Sequence, residues 1–159
     1  MAKAVPLRRD TLSLFSAPLE QIHPDSQRRF GTLDPAGMLR HLSRSIEVSL
    51  EEVDGVTDTS NFVTRLPLMR WMAFEVMPIP RGKIKAPDYF TPAADGDVQA
   101  ERERLFEAME RFLSALDKDP ARITLNPIFG LMPLTYWSKI HGRHTQHHLA
   151  QFGVTLTAP

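Results

Sequence analysis

Four of the six histidines in this chain fall within eight residues: His141, His144, His147 and His148. On a helix, residues four apart lie on the same side, one turn above the other. His144 and His148 have that spacing. Trp137, His141, Gln151 and Phe152 fall on the same side, apolar company that turns the pair toward a core, while His147 points away from its centre. Two inward imidazoles one turn apart grip a divalent metal at two points, and a third donor must then come from another element. His41 is the candidate, at the edge of a face formed by Met38, Leu42 and Ser45; His23 sits in a turn, His23-Pro24-Asp25-Ser26. Three imidazoles leave a coordination position open, as catalytic or substrate-binding metals require and structural zinc does not. Zinc or nickel is the expected ion, with iron and manganese also compatible with such donors.

A plainer account competes with this one. A buried histidine is more often a hydrogen-bonded core residue than a ligand, and histidine-rich tracts bind metal adventitiously. Spacing alone also leaves the register open, because His141 and His147 share the tract. Gln151, on the inward side, is equally readable as a partner orienting a ligand or as a core amide satisfied by backbone. Trp137 and Phe129 read as core and pocket wall. Arg81, Lys83 and Lys85 read first as solvated charges and only second as a site for an anionic thiol.

The elements that must position these residues follow from periodicity. Leu12, Phe15, Leu19 and Ile22 mark one face of a helix within Leu7 to Ile22, kinked or shortened at Pro18. Asp34 is suited to cap a second helix with Pro35 at its first position; Met38, Leu42, Ser45, Ile46 and Ser49 share a face, and Val53-Asp54-Gly55 is expected to close it. Phe62 to Met77, rich in Met and Trp, predicts a shorter helix packed across the others, whose methionines fill gaps or line an apolar cleft. Pro78 to Pro92 holds four prolines and the basic run Arg81-Gly82-Lys83-Ile84-Lys85, a long loop of the kind that is often functional. Asp97 to Leu116 predicts a long helix buried along Val98, Leu105, Met109, Phe112 and Leu116, with Glu101 among its outer charges. A loop containing Asn126-Pro127-Ile128-Phe129-Gly130 leads to a last helix from Thr135 to Phe152, stopped at Gly153. With no strand signal competing, the expectation is an all-α, antiparallel four-helix bundle with an additional short helical segment after helix two, a single domain over residues 1–159.

Bulk composition narrows the partners. Lys plus Arg and Asp plus Glu each number 19, so no net field exists to hold a phosphate backbone, and nucleic acid is not expected. The absence of cysteine excludes a disulfide scaffold, a thiolate zinc finger and a cysteine nucleophile. No stretch approaches the roughly 20 apolar residues of a membrane span, and no apolar region follows the first basic residues as in a signal peptide. A cytoplasmic protein away from membranes is expected.

Met38-Leu39-Arg40-His41-Leu42 resembles the second-helix signature of the DinB-like superfamily of metal-binding four-helix bundles. His144-Thr145-Gln146-His147-His148 resembles the same superfamily's last-helix signature, in which the first and last histidines ligate. By this resemblance His41, His144 and His148 are the metal triad and His147 is not a ligand. Trp137 through Gly153, with the Asn-Pro-Ile-Phe-Gly loop before it, is similar to an uncharacterised bacterial branch. In that branch a histidine often stands in place of Asn126. Better-studied members are bacillithiol transferases and mycothiol-dependent maleylpyruvate isomerases. The resemblance therefore implies a metal that lowers the pKa of a small-molecule thiol and presents it to an electrophile, and a possible homodimer. The alternative is a non-catalytic metal-binding or interaction bundle.

Overall fold

A computed structural model of the chain describes residues 5–77, 79, 88–90, 93 and 96–156. They are mostly helical, with a small two-stranded sheet. The strands correct the all-helical expectation. The longer helices are α1 (Leu12–Glu20), α2 (Pro35–Ser49), α5 (Val98–Lys118) and α6 (Leu134–Gln151); α3 (Phe62–Arg65) and α4 (Pro67–Trp71) are short. Helix α2 lies against both α5 and α6, and α1 touches the same two. Between them is one core that includes Phe15, Leu19, Met38, Leu39, Leu105, Met109, Phe112, Trp137 and Leu149.

Helix α1 begins later than periodicity suggests, after a 3-10 turn at Arg9–Thr11. Leu7 is nevertheless fully buried, because residues 5–8 run extended along α6. The Leu7 amide donates to the Ser138 carbonyl (2.9 Å), and Ser138 Oγ donates back to the Leu7 carbonyl (2.7 Å). This approach needs Gly142 on α6, since a Cβ there would overlap the Val5 carbonyl.

Helix α2 starts as expected: Asp34 Oδ1 accepts from the Gly37 amide at 2.6 Å and Pro35 follows the cap. Its end is a correction. The helix closes at Ser49, not at Gly55, because Glu51 takes the left-handed conformation (φ 62°). The Glu51 amide then reaches the Val48 carbonyl and the Glu52 amide reaches Glu47, satisfying carbonyls the helix leaves open. Arg122 secures this corner through the Leu50 carbonyl and the Glu51 carboxylate.

The stretch Phe62 to Met77 is not one helix packed across the others. Pro67 forces Leu66 into extended geometry, dividing α3 from α4, and a π-helical turn follows at Met72–Val76. Phe74 is buried against Phe129, whereas Phe62, Leu68 and Trp71 stand 80%, 64% and 54% exposed. Polar links hold the segment instead: Arg70 donates to the Phe129 carbonyl (2.5 Å), Lys139 pairs with Glu75, and Arg143 donates to the carbonyls of Phe74 and Met77.

Strand β1 (Ile123–Asn126) pairs antiparallel with β2 (Gly130–Pro133), Asn126 opposite Gly130. Asn126 Oδ1 accepts from the amides of Ile128 and Phe129, and Gly130 supplies a positive φ of 74°. Thr124, Asn126 and Met132 face inward, an alternation too short to stand out in the sequence. Helix α5 is capped by Asp97, whose side chain accepts from the Gln99 and Ala100 amides, and Glu101 is fully buried beside Arg104 and is not an outer charge. Helix α6 ends with Gly153 in the left-handed region (φ 77°), its amide reaching the Ala150 carbonyl. Among the described residues no helix is long and apolar enough to cross a membrane.

Candidate metal centre

Helix α2 carries His41 and α6 carries His144 and His148, and the packing of α2 on α6 brings the three rings together. His41 Nε2 lies 2.9 Å from His144 Nε2, and His148 Nε2 lies 3.0 Å from the same atom. One donor atom from each ring lies within 4.8 Å of the others. Tetrahedral imidazole ligands at 2.0–2.1 Å from zinc stand about 3.3 Å apart, close to the two separations measured from His144 Nε2.

The far nitrogens decide what the near ones offer. His41 Nδ1 donates to the Phe90 carbonyl at 2.7 Å, and a carbonyl can only accept, so Nε2 of this neutral ring carries a lone pair. His148 Nδ1 donates to Gln151 Oε1 at 2.9 Å, with the same consequence. Both lone pairs meet His144 Nε2, which holds at most one proton when neutral and satisfies only one neighbour. A cation resolves that conflict.

Electrostatics keep the rings neutral. Burial lowers the His41 pKa, partly opposed by the Phe90 carbonyl. Burial pushes His148 down to about 3, with His41 adding to the effect and Gln151 opposing it. His144 is held well below its ordinary value by burial and then by His148 and His41. Neutral imidazole is the form that binds metal.

The other two histidines of α6 do not turn a nitrogen into the group. His141 is a core residue: it donates from Nε2 to Ser49 Oγ (2.9 Å), stacks on Trp137 and meets Phe112 edge-on. His147 packs against Phe30 and the flank of the His148 ring. Gln151 fixes the His148 ring through its Oε1, so its amide is satisfied by a side chain of the group and not by backbone. Gly31 (φ 77°) gives it room, since a Cβ there would come within 2.5 Å of its Nε2.

The Phe90 carbonyl and Arg44, whose Nε donates to the Tyr89 carbonyl at 3.0 Å, were not foreseen. A main-chain carbonyl has no side-chain signature, and nothing in the spacing of Arg44 sets it apart from other helix cations. The expectations for Arg81, Lys83 and Lys85, and for most of the Pro78 to Pro92 loop, lie outside the described residues.

Comparison with known proteins gives a family but no activity. No curated protein and no solved structure matches the chain significantly. One family model, described as "Protein of unknown function (DUF1569)", matches residues 7–155. That match covers nearly all of the helices, the hairpin and the three-histidine group, and on it the chain belongs to the DUF1569 family.

Proposed function

We propose that this protein is a metal-dependent enzyme of the DinB-like, antiparallel four-helix type that transfers a low-molecular-weight thiol to an electrophilic small molecule. His41, His144 and His148 would hold one divalent ion, zinc or nickel before iron or manganese. The observation that carries the reading is the meeting of three neutral imidazoles at Nε2, two with their other nitrogen engaged as a donor. The grouping of the family in the DinB-like clan supports it.

A divalent ion with an open position lowers the pKa of a thiol brought to it. In the transfer the thiol proton leaves to solvent, a carbon–sulfur bond forms, and any leaving group departs with its electron pair. The protein has no cysteine, so the nucleophile arrives with the cosubstrate. The reading places this chemistry in the cytoplasm, where small thiols stay reduced. This chain's own residues supply neutral ligands, the ring orientation imposed by Phe90 and Gln151, and partial exclusion of water by burial of His41 and His148.

The test is a panel of thiols with a chromogenic electrophile, run with added zinc, nickel or manganese. Rates that need metal and vary with the thiol support transfer. Bound metal with no turnover across the panel favours the alternative, a non-catalytic metal-binding or interaction bundle.

A further inference from the structure

We propose that Arg44 is a positioning residue for the metal centre, acting through the main chain of Tyr89 and Phe90 to set the His41 ring. The inference rests on the three-histidine metal reading and deepens it. His41 and Arg44 are three residues apart and share one face of α2. From that face they hold successive carbonyls of one short 3-10 turn, Asp88–Phe90: Arg44 Nε donates to Tyr89 O at 3.0 Å and His41 Nδ1 to Phe90 O at 2.7 Å. Arg44 is itself held, its Nη1 pairing with Glu47 Oε2 at 3.1 Å while Arg40 takes Oε1 at the same distance. The Glu47 side chain is only 15% exposed, so this anchor is better sheltered than a typical surface pair.

The geometry matters because a single Nδ1–H···O bond does not fix an imidazole if its acceptor can move. Arg44 pins the neighbouring carbonyl, so the Phe90 oxygen stays where the His41 ring must point Nε2 at His144. Outer hydrogen bonds of this kind tune metal sites by orienting a ligand and raising its basicity. Arginine suits the task because its planar fork serves a carbonyl and a carboxylate at once; one lysine ammonium cannot reproduce both directions. By linkage, metal binding should hold the 88–90 main chain as firmly as that main chain holds His41.

The experiment compares zinc affinity, by chelator competition, in the wild type, Arg44→Met, Arg44→Lys and His148→Ala, beside melting of the metal-free forms. Chymotryptic cleavage after Tyr89 and Phe90 is followed with and without zinc. Both Arg44 variants should weaken zinc binding about tenfold with metal-free melting unchanged, which loss of mere structure would not do. Zinc should slow cleavage in the wild type and do so less in Arg44→Met. If Arg44→Met does not fold, Arg44→Lys, which keeps stem and charge, decides the matter. Unchanged zinc affinity in the folded Arg44 variants, or cleavage indifferent to zinc in a wild type that binds it, overturns the proposal while leaving the triad standing. A wild type that binds no zinc, nickel or manganese removes the metal reading itself.

Discussion

His41 Nε2 and His144 Nε2 lie 2.9 Å apart although 103 residues separate them in the chain. Nothing local favours that approach. It exists because α2 and α6 bury apolar faces in one core, and it brings the His41 lone pair to a nitrogen that His148 also approaches, so a single His144 proton cannot serve both neighbours.

Substitution tests this most directly. His41→Ala, His144→Ala and His148→Ala each remove one of three ligands, so each should lose most of the metal bound by the purified protein. His147→Ala and His141→Ala should retain it, since neither ring belongs to the group. Metal analysis of the five variants checks this, and retention in His148→Ala with loss in His147→Ala would place the wrong ring at the site.

Gln151 should matter nearly as much as a ligand. Gln151→Leu removes the acceptor for His148 Nδ1 and should weaken metal affinity about 10- to 100-fold. Gln151→Glu keeps an acceptor and should retain tight binding. Gly31→Ala should lower affinity and stability together, because it strains a left-handed residue and displaces the Gln151 amide. Chelator competition beside thermal melting separates the two effects.

Acid should destabilise the metal-free protein in a defined window. His141 stays neutral in the fold down to about pH 3, because burial disfavours its cation, while in the unfolded chain it protonates near 6.5. Between those values the unfolded chain binds more protons, so stability rises with pH and is lost as pH falls from about 6.5 toward 3. Each such histidine contributes a slope of about 1.4 kcal/mol per pH unit in that window. His141→Gln, which can still reach Ser49, should flatten urea-derived stability plotted against pH by roughly that amount. An unchanged slope would mean that the ring protonates without unfolding the chain.

The segment from Phe62 to Met77 should respond to mutation opposite to its hydropathy. Leu68→Ser and Trp71→Gln alter exposed side chains and should change unfolding free energy by no more than about 0.5 kcal/mol. Phe74→Ala, which empties the contact with Phe129, should cost about 3 kcal/mol. Denaturant titration distinguishes them, and equal costs would show that the segment packs more tightly than these exposures allow.

Much of this protein is decided by neighbours in sequence. Asp34 with Pro35 announces α2, and the spacing of Val98, Leu105, Met109 and Phe112 announces α5, because capping and amphipathic spacing are properties of a few consecutive residues. The i, i+4 spacing of His144 and His148 puts two imidazoles on one side of α6 for the same reason. Other features depend on partners remote in the chain. The pairing of Ile123–Asn126 with Gly130–Pro133 rests on four-residue runs too short to show a period, and the exposure of Trp71 depends on whether the core has room for it. The sequence offered His41 as a third donor but could not bring its ring to the pair. Only the tertiary structure does so, since the meeting of His41 with His144, and of its other nitrogen with the Phe90 carbonyl, is made by α2 lying against α6 and by a turn 49 residues away.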